Sequence, residues 1–144
     1  MNVDGILRTK GATVITIRPD ATIAQLVNGL RAERIGAMVV SEDGRAVLGI
    51  ISERDVVRGL AEHGPRVMDK LVAELMTRDV VACKPLDSVK QVMSEMTRRR
   101  IRHLPVVADG ALYGIVSIGD VVKNRLEEME TETNVLREAY IARK

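Results

Sequence analysis

The chain of 144 residues has no phenylalanine, no tryptophan and only one cysteine. A single cysteine excludes an internal disulfide and is typical of a reducing compartment, and we expect Cys83, within an apolar run, to be buried and unreactive. No stretch reaches the ~20 apolar residues that a membrane-spanning helix needs, and the N-terminus lacks the apolar segment of a signal peptide. We therefore expect a cytoplasmic protein with an aliphatic core, for which a hydrophobic content of 46% is sufficient.

Motifs of catalysis and of metal binding are also missing. The two histidines, His63 and His103, lie far apart, and no His or Cys pair has the spacing of a zinc site. The chain contains no Gly-x-Ser-x-Gly string, no P-loop and no Gly-x-Gly fingerprint of a Rossmann fold. These absences disfavour an enzyme, so no catalytic residue, catalytic cofactor or metal ligand is predicted. The net charge of +2 is too small to indicate nucleic-acid binding by itself.

What the chain does have is an internal repeat, because residues 13–60 and 79–125 share one pattern. Each repeat contains a basic-Pro pair and an Asp-Gly turn, and each closes on Gly-Ile-apolar-Ser-x-x-Asp-Val-Val, at 49–57 and at 114–122. A repeat of this length is a supersecondary unit, and two such units usually bury their apolar faces against each other. A pseudo-twofold arrangement would create two related clefts between them.

The hydrophobic pattern predicts an α/β (α+β) fold in which each repeat is a small sheet with two helices. The order in each repeat is strand, helix, strand, strand, helix, with strands expected at 14–17, 37–41, 47–51, 80–83, 104–107 and 112–116. A helix over 4–10 that ends at Gly11 should precede the first repeat, and a helix over 67–76 should connect the two. The domain bounds are placed at 5–62 and 70–127.

Residues 128–144 are predicted to form a C-terminal amphipathic helix. The chain after Arg125 has an apolar stripe at steps of three and four residues: Leu126, Met129, Thr133, Leu136 and Tyr140. That spacing places the stripe on one face of a helix. Such a face either packs on its own chain or forms a dimer contact, and the sequence supports both interpretations equally.

The Ser-x-x-Asp pair occurs in both repeats, as Ser52 with Asp55 and as Ser117 with Asp120. A serine that opens a helix after a strand places its hydroxyl and free N–H groups where the helix dipole favours an anion. The aspartate one turn later can accept hydrogen bonds from the cis-diol of a ribose. For an isolated pair a helix cap is the better interpretation. Its use twice, each time after Gly-Ile-apolar, favours a ligand site.

The repeat resembles the cystathionine-β-synthase-type (CBS) domain, and the pair resembles a Bateman module. The resemblance rests on 49–55, on 114–120, on Arg102-His103-Leu104-Pro105-Val106 and on Met76-Thr77, and it extends over about residues 5–126. It implies a tandem CBS-domain pair with pseudo-twofold symmetry, commonly a homodimer in the shape of a flat disk. It also implies an adenosyl ligand such as AMP, ADP, ATP, NAD(H) or S-adenosylmethionine in a cleft between the repeats.

The resemblance assigns different residues to the two clefts. In the family the aspartate typically holds the ribose, and the serine helps with ribose or phosphate. One cleft would combine Ser52, Arg54 and Asp55 with Arg102 and His103, and we expect it to bind a phosphate-bearing nucleotide. The other would combine the second Ser-x-x-Asp pair with residues 36–37, which carry no charge. We expect this second cleft to bind an adenosine-like group more weakly or to stay empty.

Apolar strand residues are implied to sandwich the base, although each of them could equally belong to the core. The candidates are Ile15, Met38, Ile50, Val81 and Ile115. The basic run 98–100 has three interpretations: a solvated helix end that complements the dipole, a phosphate contact, or a nucleic-acid contact. The third is disfavoured because two tyrosines leave few platforms for stacked bases.

We therefore predict a stand-alone signalling protein that binds an adenine nucleotide, of the AMP, ATP or NAD(H) type, and reports its level. Ligand binding would shift a population between two arrangements of the repeats or of a homodimer. The effector protein is not identifiable from the sequence, and neither a membrane nor a nucleic acid is an expected partner. The alternative is a dimeric adaptor whose ligand sites are vestigial.

Overall fold

The computed structural model describes residues 1–142, so the last two residues of the predicted 128–144 helix lie outside the described residues. The helices are α1 Val3–Lys10, α2 Ile23–Glu33, α3 Glu53–His63, α4 Val72–Leu75, α5 Val89–Arg99 and α6 Ile118–Ala142. The strands are β1 Thr16–Ile17, β2 Ala37–Val40, β3 Gly49–Ser52, β4 His103–Ala108 and β5 Ala111–Ser117. This order confirms the predicted α/β fold. None of the helices in residues 1–142 is both long and apolar enough to cross a membrane.

The two sheets are related by the repeat but differ in size. In the first, β1 runs parallel to β2, and β2 is antiparallel to β3. In the second, β4 and β5 form an antiparallel pair. The strand predicted over 80–83 is wrong, because only Cys83 makes an isolated parallel bridge, to Val106. The N–H of Cys83 donates to the carbonyl of Pro105 and its own carbonyl accepts from the N–H of Val107, so the parallel pairing in the second repeat is reduced to this one residue.

The connection between the repeats also differs from the predicted 67–76 helix. It forms a 3-10 helical turn over Gly64–Asp69 and the short α4, with an extended residue, Leu71, between them. Leu71 bridges to Thr22, and the N–H of Ile23 donates to the carbonyl of Lys70 at 2.9 Å. A tertiary contact with the start of α2 therefore interrupts a segment whose local pattern favours a helix.

Both repeats use the same local devices to begin and end their first long helix. Thr22 with Gln25 opens α2, and Ser88 with Gln91 opens α5, each as a reciprocal capping box. Each helix ends on an arginine in the left-handed conformation at residues 34 and 100, with φ of 56° and 55°. The sequence repeat therefore extends to backbone geometry, down to the turn that leads into β2 and β4.

The two cores exchange the helices that precede each repeat. Val3, Ile6 and Leu7 of α1 pack into the core of the second repeat, whereas Val72 and Met76, in and after α4, pack into the core of the first. The bounds 5–62 and 70–127 remain a prediction about the sequence repeat, since each core draws residues from across them. The exchange joins the two halves by apolar burial as well as by the chain connection.

Glycine at the start of the closing string permits this close packing. A Cβ at Gly49 would lie 2.7 Å from the carbonyl oxygen of Thr77, and one at Gly114 would lie 2.7 Å from Cδ1 of Leu7. Both distances are shorter than any ordinary carbon contact. The exchanged segments can therefore lie directly on β3 and β5 only where those strands carry no side chain.

We predict that Gly49→Ala lowers the free energy of unfolding by about 1–3 kcal/mol, because its Cβ meets backbone that cannot rotate away. Gly114→Ala should cost less, since it meets only the flexible end of the Leu7 side chain. Urea unfolding followed by circular dichroism measures both. Gly119→Ala is the matched control, because its Cβ would be 3.6 Å from the nearest described atom. Equal losses in all three variants would contradict this account.

Candidate functional site

A cleft of about 620 Å³ lies between the repeats, where the end of β3 and the start of α3 face the start of β4. The segment after α4 forms a further wall, because Thr77 and Ile50 exchange backbone hydrogen bonds of 2.9 and 3.0 Å. Seven of the predicted site residues line this cleft: Ile50, Ser52, Arg54, Asp55, Val81, Arg102 and His103. The structure therefore brings together residues from both repeats that the sequence separates by about a third of its length.

Ser52 and Asp55 cap the N-terminus of α3 by hydrogen bonds to each other. Oδ2 of Asp55 accepts hydrogen bonds from the backbone N–H of Ser52 at 2.9 Å and from its hydroxyl at 3.2 Å. Within residues 1–142, Oδ1 of Asp55 has no hydrogen-bond partner. The N–H of Glu53 donates to the carbonyl of Gly36 at 3.0 Å, which ties the helix start to the turn before β2. One carboxylate oxygen holds the helix start, and the other remains available in the cleft.

Arginine side chains dominate the charge of the cleft. Five arginines and three carboxylates are among its lining residues. Within the described chain, no ion pair involves Arg54, Arg58, Arg100 or Arg102. Arg54 donates a hydrogen bond to the carbonyl oxygen of Arg100 at 3.3 Å, so the arginines of the two repeats approach each other. Uncompensated guanidinium groups around a concave surface favour an anionic ligand.

The structure divides the basic run 98–100 between two roles. Arg98 and Arg99 both pair with Glu95 on the exposed surface of α5, at 2.5 and 2.8 Å. Arg99 also lines the cleft, and so does Arg100, which has the left-handed conformation after α5. The sequence left a phosphate contact open for the run 98–100 and did not assign Arg58 to the site. Arg58 was detectable, because it continues the three-residue spacing of Ser52 and Asp55 on one face of α3.

The second Ser-x-x-Asp pair has the same backbone geometry but a different neighbour. The N–H of Ser117 donates to Oδ2 of Asp120 at 2.9 Å, and the N–H of Asp120 donates to the hydroxyl of Ser117 at 3.2 Å. Nζ of Lys10, in the last turn of α1, lies 2.7 Å from the same Oδ2. Burial opposes ionisation of Asp120, but the hydrogen bonds from Lys10 and Ser117 outweigh it and hold its pKa below the ordinary value.

Lys10 corrects the expectation that the second cleft has little positive charge. The prediction considered only the residues of the two repeats, whereas Lys10 comes from the helix that precedes the first one. Gly11 did signal where α1 ends, since it takes a φ of 98° there. The exchange of α1 into the second repeat is a tertiary effect that the local pattern does not encode.

His103 lies between the two Ser-x-x-Asp sites. It is partly buried, and it pairs with Ser117 across the β4–β5 ladder. Burial lowers its pKa from the ordinary value, and the charges of Glu53, Lys10 and Asp120 also act on it. A Cβ at Gly36 would lie 3.3 Å from Cε1 of the ring, so the absence of a side chain there makes room for the imidazole.

The remaining apolar candidates lie elsewhere. Met38 is buried in the first core, where its methyl group would be 2.8 Å from a Cβ on Gly29, and Ile15 packs against the same core. Ile115 is partly buried in β5 of the second sheet. Cys83 is buried as expected, and burial raises the pKa of its thiol to about 12. Of the five apolar candidates, only Ile50 and Val81 line the large cleft.

The lining of the large cleft is suited to a ligand that combines a polar hydroxyl-bearing part, an apolar part and negative charge. Asp55 offers an acceptor oxygen, Ile50 and Val81 offer apolar surface, and the arginines offer donors for an anion. In the part of the chain that the structure describes, no group of three or more His, Cys, Asp or Glu side chains is placed to hold a metal ion.

Comparison with known proteins agrees with the repeat and with the overall fold. The model of the CBS domain family matches residues 8–62 and again 72–127. The crystal structure of the CBS-domain containing protein ATU1752 from Agrobacterium tumefaciens is 42% identical and has a TM-score of 0.84, covering 87% of this chain and 99% of that one.

Two further relatives differ more in sequence. The mitochondrial CBS domain-containing protein CBSX3 of Arabidopsis thaliana is 33% identical over 147 residues, which is 96% of this chain and 71% of that protein. The CBS domain pair of protein MJ0100, in complex with 5′-methylthioadenosine and S-adenosyl-L-methionine, is 25% identical with a TM-score of 0.79. It covers 89% of this chain and 98% of that one. Since the family model matches both repeats, the chain belongs to the CBS domain family and is a tandem pair of CBS domains.

Proposed function

We propose that the cleft at Asp55 binds an adenine nucleotide and that the chain is a regulatory module that senses this nucleotide. The observation that carries the proposal is the combination, in one cleft, of an aspartate with a free carboxylate oxygen and four arginines without ion pairs in residues 1–142. The similar CBS pair of MJ0100 supports the adenosyl part, because its structure contains two adenosyl compounds.

Each part of the cleft suits one part of the nucleotide. Oδ1 of Asp55 accepts from the ribose hydroxyls, Ile50 and Val81 contact the base, and Arg54 and Arg102 contact phosphate. The cleft volume of about 620 Å³ lies within the range of small-molecule sites, roughly 300–1,000 Å³. The positive lining favours AMP, ATP or NAD(H) over S-adenosylmethionine, which is cationic at sulfur. A diphosphate or triphosphate would engage more of the arginines than a monophosphate.

Binding here would act on the arrangement of the two repeats. The ligand would contact α3 of the first repeat and the start of β4 of the second, so its affinity depends on how they are placed. A ligand that binds one arrangement more tightly shifts the population towards it. The module therefore signals by differential binding and needs no chemical step; we propose that it is not an enzyme.

A homodimer is part of the proposal. Val57 and Leu60 of α3 are 65% and 51% exposed, and Val122 and Leu126 of α6 are 43% and 55% exposed. Val57 and Val122 occupy equivalent positions of the two repeats, and exposed aliphatic side chains at and near these positions favour a contact with a second chain. The same face supports the alternative, a dimeric adaptor whose clefts are vestigial. We place the protein in the cytoplasm, because one free cysteine is typical of a reducing compartment.

We predict that Asp55→Asn weakens nucleotide binding at least tenfold, because the ribose hydroxyls lose a charged acceptor. Isothermal titration with AMP, ATP and NAD measures the effect. Asp120→Asn is the matched control: it makes the same change in the equivalent Ser-x-x-Asp pair and should leave the affinity of the large cleft within about twofold. If folded, ligand-free protein binds none of these nucleotides, the adaptor function replaces the sensor.

We also predict that Lys10 blocks the second site, so that the wild-type chain binds one nucleotide. Lys10→Met removes the cation from Asp120 and should allow a second, weaker site for adenosine or AMP, raising the stoichiometry from one towards two. Lys90→Met, which removes an exposed lysine of α5, is the control for net charge. Two equal sites in the wild-type chain would contradict the role of Lys10.

A further inference from the structure

Only one face of α6 contacts the rest of its own chain. Val121 and Asn124 are buried, and Arg125 and Glu128 are partly buried. The N-terminal amine of Met1 lies 3.7 Å from the carboxylate of Glu128. Glu128 is also the last residue of α6 in the described chain that is partly buried. Every residue from 129 to 142 is exposed. The helix therefore continues for about 21 Å beyond the globular part, at 1.5 Å per residue.

A second face of α6 carries the apolar stripe and stays exposed along its whole length. Leu126, Met129 and Leu136 are 55%, 54% and 71% exposed. With Thr133 and Tyr140, they alternate steps of three and four residues, which is the spacing of the a and d positions of a coiled coil. At about 100° per residue, this stripe lies roughly a quarter turn around the helix from the buried face. It is not the face that packs on its own chain.

The charged residues that flank this stripe indicate which partner packs against it. With Leu126 at a and Met129 at d, Arg125 and Glu132 fall at g positions, and Glu130 and Arg137 fall at e positions. In a parallel pair of identical helices, each g residue faces the e residue five positions later on the other helix. Arg125 would then face Glu130 of the second chain, and Glu132 would face Arg137. Both pairs are opposite in charge.

These charges are available for such contacts. Within residues 1–142, no ion pair involves Glu130, Glu132 or Arg137, whereas Arg125 pairs with Glu128 of its own chain at 2.5 Å. An antiparallel pair would place e against e and g against g, and Glu132 would then lose its arginine partner. The charge pattern is therefore complementary to itself in the parallel, in-register arrangement.

We propose that residues 122–142 of α6 form a parallel, in-register coiled coil with the same segment of a second copy of this chain. Three heptads with a threonine at a central a position make a weak coiled coil by themselves. The segment begins at the exposed Val122, which the proposed dimer contact of the repeats also uses, so the coiled coil and that contact would stabilise one dimer. The proposal depends on no ligand and is tested without nucleotide.

Charge reversal tests the pairing of Glu132 with Arg137. Glu132→Arg places two like charges together, twice per dimer, and should weaken the dimer of the full chain roughly tenfold in sedimentation equilibrium. Arg137→Glu should do the same, and the double variant Glu132→Arg with Arg137→Glu should restore the wild-type dissociation constant to within about threefold. Glu138→Arg, at an outward f position, is the control for charge. A monomeric wild-type chain, or four variants with one dissociation constant, would overturn the proposal.

Disulfide trapping tests the orientation, because it reports which residues face each other. In a parallel pair, position 136 faces position 136 of the second chain, so Leu136→Cys should form a covalent dimer on mild oxidation. Glu138→Cys should react at least tenfold more slowly, and the buried Cys83 should not react in either variant. An antiparallel pair would instead join a Met129→Cys chain to a Tyr140→Cys chain, and preferential formation of that mixed dimer would overturn the parallel arrangement.

Discussion

The close approach of an exchanged segment to the first glycine of each closing string controls both sites. In each repeat, residues from across the chain lie directly on the strand that leads into the Ser-x-x-Asp turn, at Gly49 and at Gly114. The two sites differ because α4 ends at Leu75, before the residue that pairs with β3, whereas α1 continues as a helix to Lys10. After α4 the chain becomes extended, Thr77 pairs with Ile50, and the next residues form a wall of the open cleft. In the other half, α1 continues to Lys10, whose amine reaches Asp120. One packing rule therefore produces an open cleft at Asp55 and a lysine contact at Asp120.

Helix capping and ligand binding are compatible roles of the Ser-x-x-Asp pair. In both repeats a single oxygen of the aspartate accepts the serine N–H, which satisfies a donor that the helix start would otherwise leave unpaired. The cap fixes the carboxylate in place without using its second oxygen at Asp55. Because the cap itself positions the carboxylate, a ligand need not supply the entropy cost of ordering the group. The sequence alone presents the two roles as alternatives, whereas in the structure the cap occupies only one oxygen of Asp55 and so does not exclude a ligand.

The features that could be predicted from sequence are those set by local pattern and by the repeat. The order of elements and the repeated Ser-x-x-Asp turn belong to this class, whereas the grouping of Ser52, Arg54 and Asp55 with His103 followed from the resemblance to a family. The helix over 67–76 was wrong because a bridge at Leu71 overrides apolar periodicity, and the strand over 80–83 was wrong because only Cys83 pairs with a neighbouring strand. The contact of Lys10 was out of reach for a different reason: it depends on which repeat receives α1, and no local signal reports that.

The positive charge of the arginines that line the cleft favours an anionic ligand. Arg54 and Arg58 belong to the first repeat, whereas Arg100 and Arg102 belong to the second, so like charges face each other across the boundary that a ligand would span. In the proposed complex, a phosphate between them would replace their repulsion by attraction to both repeats. A neutral ligand of the same shape would gain the apolar contacts but leave the repulsion in place. An anionic ligand and a neutral ligand would therefore differ in electrostatic energy. This difference, more than the contacts to the base, would make the arrangement of the repeats depend on a bound nucleotide.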